Sequence, residues 1–236
     1  MKRKSPIKNS PRSRAAAPTA AAMAVLDVAE QLVQTRGYNG FSYADIAAQL
    51  GVTKASLHYH FPSKEDLGRA LIERYCAAFD AALDGIDRHA SDPGDKLRHY
   101  AEIYETVLSS GRLCLCGMLA AEHTTLPASM QKGLTRFFDA NERWLTAVLG
   151  EGLRTGVFRF SDSTNERARV LLGALEGAML VARSYGDPRR FHAAAKHVLA
   201  DIDRGSGSTQ LKRARRSTLR RPRRPRRAPG PEPRGA

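Results

Sequence analysis

Cysteine is scarce in this chain of 236 residues, with three in all: Cys76, Cys114 and Cys116. So few, so unevenly placed, cannot staple a disulfide framework, and they fit a reducing compartment. Long apolar runs are lacking too. No stretch reaches the roughly 18 consecutive apolar residues of a membrane-spanning helix, so no membrane partner is expected. Alternating β-branched residues, the signature of strands, do not occur at useful length. An alanine-rich run near the N-terminus imitates an export signal, but it contains Pro18 and flows into "LDVAEQLVQTRG". Cleavage there would destroy a good amphipathic helix, so the chain is expected to stay in the cytoplasm.

Acidic residues are missing from the two ends. Residues 1–18 carry six basic side chains and no acid, and residues 205–236 carry eleven against Glu232 alone. These ends supply the formal charge of +14, and residues 19–204 are close to neutral. The total charge therefore does not by itself mark a nucleic-acid binder. Both ends hold few large apolar residues and cannot bury enough surface to offset their ordering entropy. They are expected to be a disordered basic arm (1–18) and a disordered basic tail (205–236). Two readings of them stand: salt-sensitive, sequence-blind attraction to phosphates, or solvated ends without a role.

What lies between reads as helix throughout. Val25, Val28, Ala29, Leu32 and Val33 recur at helical spacing before Gly37, which predicts a first helix over about 20–35. Ser42 with Asp45 three residues on starts a second, ending at Gly51, and Val52–Thr53 open a third that breaks at Pro62. Ser63 with Asp66 starts a fourth running to about His89. Further helices are expected near 94–110, 116–125, 127–154, 163–185 and 188–203, with Gly111, Pro127, Gly156 and "YGDP" as punctuation. The expected class is all-α with about nine helices: a three-helix unit over 19–66 and a second helical domain over 67–204.

"VTKASLHYHFPSKEDL" (52–67) concentrates polar and cationic groups around Leu57 and Phe61. Ile46 and Leu50 lie one turn apart on the second helix, Leu57 and Phe61 one turn apart on the third, and Val52 is expected to plug the corner. Two short helices over one apolar seam make a helix-turn-helix. With Leu57 and Phe61 inward, the row from Thr53 through Lys54, Ala55, Ser56, His58 and Tyr59 turns outward, followed by His60 and Lys64. A helix fits the major groove, where Lys54 suits guanine or phosphate, Ser56 either kind of base, and the Ala55 methyl a thymine methyl. Tyr59, His60 and Lys64 lie where phosphate contacts set register.

Residues 25–75 resemble the N-terminal domain of the tetracycline-repressor (TetR) family of bacterial regulators. "G-Y-x-x-F-S", "D-I-A", "G-V-T-K", "L-x-Y-H-F" and "S-K-E-x-L" all stand in family order and spacing. The resemblance implies a homodimer of helical subunits, each with a DNA-reading head and a C-terminal ligand-binding and dimerisation domain. It implies a double-stranded DNA operator and a small-molecule effector as partners; no cofactor is expected, the location expected is the bacterial cytoplasm at the nucleoid, and with no positioned nucleophile beside Glu122 and His123 no catalysis is expected. The family's DNA contacts fall here on Ser42, Tyr43, Lys54, Ala55, Ser56, His58, Tyr59, His60 and Lys64. His58 departs from the tyrosine usual at that position, and its imidazole could still reach a phosphate.

The segment "ERARVLLGALEGAMLVARSYG" (166–186) is apolar almost all round, with Arg169, Glu176 and Arg183 as interruptions. Such a helix is buried on more than one side. Pairing of the helices near 163–185 and 188–203 with their symmetry mates is one reading, and a monomer core the other. A dimer places two recognition helices roughly 34–36 Å apart on a near-palindromic operator. The expected effector pocket gathers Tyr75, Phe79, Tyr100, Tyr104, Met118, His123, Phe137, Phe138 and Trp144, a set equally readable as core, and favours a hydrophobic or aromatic ligand. Asn141 interrupts an apolar stripe and needs a partner on a neighbouring helix or a ligand.

Cys114 and Cys116 stand two apart, a poor metal site. Cys114 at a helix N-terminus beside Arg112 could have a lowered pKa and sense oxidants or electrophiles; otherwise both are small buried hydrophobes. The main expectation is a repressor released by an effector. The alternatives are a redox-sensing repressor using Cys114 or Cys116, and a non-specific DNA-coating protein driven by its basic tails.

Overall fold

Helix ends follow local chemistry closely. A computed structural model describes residues 19–204, which form nine α-helices, one short 3-10 turn and no strand. The basic arm and tail expected at 1–18 and 205–236 lie outside the described residues. α1 (Ala20–Arg36) begins where Thr19 Oγ1 accepts from the Ala22 N–H, and it ends at Gly37. α2 (Tyr43–Leu50) opens on a reciprocal box in which Ser42 caps the helix while the Asp45 carboxylate takes the Ser42 N–H. Gly51, at φ 65°, supplies the left-handed turn that ends α2. Thr53 then caps α3 (Lys54–His60), and Ser63 caps α4 (Lys64–His89), paired with Asp66.

α5 (Pro93–Ser109) starts with Asp92 as cap and Pro93 in its first turn, where a missing N–H is harmless. α6 (Leu115–Ala121) is short, and a 3-10 turn, His123–Thr125, follows it. α7 (Ala128–Thr155) ends at the left-handed Gly156. α8 (Thr164–Ser184) opens on a second reciprocal box, Ser163 with Glu166, and α9 (Arg189–Arg204) closes the described chain.

The predicted helix over 116–125 is the one element that differs in kind. Thr125 Oγ1 donates to the Glu122 carbonyl at 2.8 Å, and the Thr125 N–H reaches the same oxygen at 2.9 Å. The turn is thereby tightened and the α-helix stops at Ala121.

Two regions share one continuous core. In the head, Leu26, Ala29, Val33, Ile46, Leu57 and Leu67 are all essentially inaccessible. α4 leaves that head and enters the larger helical body without a break, burying Leu71, Ile72, Tyr75, Phe79 and Leu83 at three- and four-residue spacing. No helix among the described residues is long and apolar enough to cross a membrane.

Candidate nucleic-acid interface and buried core

The α2–α3 unit presents the row that the sequence predicts. Leu57 is 1% exposed and Ile46 fully buried, which fixes the roll of α3. Lys54, Ala55, Ser56, His58 and Tyr59 then face solvent, with Tyr59 85% exposed and Thr53 spent as the cap. His60 is half-buried, its ring edge-on to Tyr59. Val52 does not plug the corner. It is 42% exposed, because α3 begins only at Lys54 and Val52 lies in the extended link beyond Gly51.

Tyr43 and Lys64 are held inside the head. The Tyr43 hydroxyl lies 2.8 Å from the Phe61 carbonyl and 2.7 Å from that of Ser63, tying α2 to the α3–α4 link. Burial, then the Asp66 charge, pushes its phenol up to about 12. Lys64 Nζ donates to the Phe41 carbonyl at 2.5 Å and sits over the Tyr38 and Phe41 rings, at 4.7 and 4.4 Å from their centroids. Burial lowers the ammonium pKa. His58 packs on Tyr43 with ring centroids 4.6 Å apart, and its Nδ1 is 3.1 Å from the Pro62 carbonyl. Ser42, Tyr43, Lys54, His58 and Lys64 nonetheless share one shallow cleft of about 350 Å³.

In the body, Tyr75, Phe79, Tyr100, Tyr104 and Phe137 form one aromatic cluster. Phe79 is its hub, 5.1 Å from Phe137 and 6.1–6.2 Å from the three tyrosine rings. Asn141, 1% exposed, finds its partners within the protein: Oδ1 accepts from the Tyr100 hydroxyl and Nδ2 donates to the Phe137 carbonyl, both at 2.9 Å. Trp144 stacks on Tyr100 and donates its indole N–H to Asp87 at 2.9 Å. Phe138 is half-buried with its ring 5.4 Å from Phe137, and Met118 is half-buried against the wider core. His123 is not brought to it. With α6 ending at Ala121, that side chain is exposed on the 3-10 turn.

Of the two readings of the cysteines, the structure favours small buried hydrophobes over an activated thiol. Cys114 and Cys116 are both buried, and burial holds their thiols well above the ordinary cysteine range, with Glu176 adding to the effect at Cys114. Arg112 turns instead to Ser110 Oγ and Gln34 Oε1. Desolvation outweighs whatever field the short α6 supplies. Among the described residues no group of three or more His, Cys, Asp or Glu is placed to hold a metal.

Three contributors were missed from sequence. The Glu122 carboxylate accepts from the Tyr38 N–H at 2.6 Å and lies 3.3 Å from the Asn39 nitrogen, gripping the α1–α2 turn. Arg183 on α8 donates to the carbonyls of Gln34, Thr35 and Gly111 at 3.3, 2.9 and 3.1 Å. The third is Glu176, whose carboxyl is pushed up by burial to about 7. The signal for the last two was the charge interrupting an apolar helix; nothing local marked Glu122. On the outer face of α8, Val170 (61%), Val181 (52%) and Tyr185 (65%) remain exposed beside the open Gly173 and Gly177.

Comparison with known proteins adds to this geometry. Residues 25–71 match the model for bacterial regulatory proteins of the tetR family. The HTH-type transcriptional repressor DhaR of Mycobacterium sp. (strain GP1) is 30% identical over 152 residues, 64% of this chain and 76% of that one. The HTH-type transcriptional repressor NemR of Escherichia coli K12 is 27% identical over 75% of this chain and 92% of its own. A TetR-family transcriptional regulator from Agrobacterium tumefaciens, known from its crystal structure, superposes with a TM-score of 0.76 at 34% identity, covering 78% of this chain and 98% of that one.

Proposed function

The chain belongs to the tetR family of bacterial regulatory proteins and is a DNA-binding transcription regulator, and we propose that it is a repressor released from a near-palindromic operator by a small hydrophobic or aromatic effector. The observation that carries this is the exposed row Lys54, Ala55, Ser56, His58 and Tyr59, presented by a helix whose roll is fixed by Leu57. Such a row fits the major groove, with Ser42 and His60 at its margins for phosphates. Tyr43 and Lys64 act chiefly as braces that keep α3 at its angle to α4. The head comprises 19–66 and the effector and dimerisation domain 67–204, with α4 spanning both.

Homodimerisation runs through α8 and α9, supported by the bare Val170, Val181 and Tyr185 on the first. The effector acts at the aromatic cluster or beside it. A ligand that favours one tilt of α4 changes the spacing of the two heads and shifts operator affinity only by its preference between the two states. The protein works in the bacterial cytoplasm on the nucleoid.

Selection of random duplexes with the full chain tests the reading. Enrichment of one inverted repeat is expected, kept by a variant lacking residues 205–236 and lost in Lys54→Ala/Ser56→Ala. Uniform binding of all sequences, abolished by removing the tail, establishes the DNA-coating alternative instead. The redox alternative has burial of both thiols against it.

A further inference from the structure

Glu176 stands in the middle of α8, and its Oε1 is buried without a hydrogen-bond partner. The Cys114 thiol lies near the carboxyl, and among the described residues no cation is paired with it. Leaving such an atom unpaired costs about 1–3 kcal/mol and more when the group is ionised. The fold accommodates it all the same: a methyl on Gly117 of α6 would overlap the Glu176 carboxylate, so the backbone there is bare where the acid lies.

The side chain also forms part of a cleft of about 510 Å³ between α6, α7 and α8. Phe138, Leu172, Leu180 and Ala120 make its walls apolar. The other charged groups on it, Glu142 and Arg169, are paired with each other at 3.1 Å, so the cleft keeps one uncompensated acid. Around the inner side of that acid stand the phenols of Tyr75, Tyr100 and Tyr104, all close enough to feel its charge.

We propose that this cleft binds an organic cation, an alkyl- or arylammonium that gives the Glu176 carboxylate a hydrogen bond and countercharge while its apolar body lies on Phe138, Leu172 and Leu180. A ligand offering only acceptors would meet the carboxylate with nothing to donate to it. The Phe138 ring in the same cleft adds a second feature that favours a positive group. The inference rests on the effector reading above and narrows its ligand class from hydrophobic to hydrophobic and cationic.

Calorimetry on the full chain with three matched probes tests it: 4-phenylbutylammonium, 4-phenylbutan-1-ol and 4-phenylbutanoate. The ammonium compound is expected to bind at least about tenfold tighter than the alcohol, one charged hydrogen bond's worth, with the carboxylate weakest. Glu176→Gln, nearly isosteric, brings ammonium and alcohol within about twofold of each other, while Glu142→Gln keeps the preference. Equal binding of the three probes, no binding of any, or a preference that survives Glu176→Gln overturns the proposal. Displacement of the selected operator, measured in parallel, separates the two readings. Preferential ammonium binding without release of DNA removes the effector reading and leaves the site. Release by alcohol and carboxylate as readily as by the ammonium compound removes the site and leaves the effector reading.

Discussion

At the scale of single residues, Glu176 sets the most distinctive expectation. Its carboxyl titrates near 7 in the folded chain against 4.5 for an ordinary glutamate, because burial disfavours the charge. Between those values the folded protein holds a proton that the unfolded chain has released. Stability from this group is therefore fully present below about pH 4.5 and is lost as pH rises through 7. The span corresponds to at most about 3 kcal/mol. Urea unfolding at fixed protein concentration checks it: Glu176→Gln gains relative to wild type by up to that amount at pH 8 compared with pH 5. Parallel pH profiles for the two proteins contradict the assignment. The lowered carboxyls of Asp45 and Asp66 act on the acid side, outside this window. The thiols give a second test. Cys76 is half-exposed and the other two buried, so single-cysteine variants should react with a disulfide reagent at least about tenfold faster at Cys76. Fast labelling of Cys114 reinstates a sensor. The sequence showed both cysteines at a helix start but carried no trace of their burial, which comes from α1, α4 and α7 packing over α6. Val52 and His123 were misplaced for a local reason: a two-residue delay in starting α3, and a tightened turn after α6, change which way a side chain faces.

At the scale of elements, capping was the readable part. Ser42–Asp45 and Ser63–Asp66 announced their helices in sequence, and both pairs form as expected. The long-range grips were not readable, since Glu122 and Arg183 act on a turn some 80 and 150 positions away in the chain. Those two side chains fasten the C-terminal end of α1 to α6 and α8, giving the body a hold on the head that does not pass through α4. Glu122→Gln is expected to cost about 1–3 kcal/mol, because a charged acceptor of backbone N–H groups becomes a neutral one. Under the proposed effector switch it should also reduce the loss of operator affinity on ligand binding, since the head then follows the body less tightly. Unchanged release at reduced stability assigns the whole coupling to α4. Tyr43→Phe works on the other joint. Two carbonyls, of Phe61 and Ser63, lose their donor, for about 1 kcal/mol of stability, and operator affinity falls although the substituted ring is 9% exposed.

At the scale of the whole molecule, the open question in the sequence was why α8 is apolar on nearly every side. Its inner face answers in part, burying Ala168, Leu171, Leu175 and Met179. The outer face does not, for Val170, Leu180, Val181 and Tyr185 stay bare in the single chain, and a Cβ on Gly173 or Gly177 would meet nothing. Small residues flanked by exposed branched ones let a second helix approach closely, and in the proposed homodimer a twofold axis would bring the same face of a second copy against it. The periodicity could reveal surplus apolar surface but not its occupant, because occupancy is a property of the assembly. Val170→Asp/Val181→Asp places two charges in the proposed contact, and sedimentation should show monomers in place of dimers. Helicity and the packing of α1–α3 are expected to remain, since neither side chain touches the head core. One head then meets one half-site without the other held nearby, and operator affinity should drop by at least about 100-fold. A monomer that keeps full affinity for the inverted repeat removes the dimer from the mechanism, and a double variant that stays dimeric moves the interface away from this part of α8.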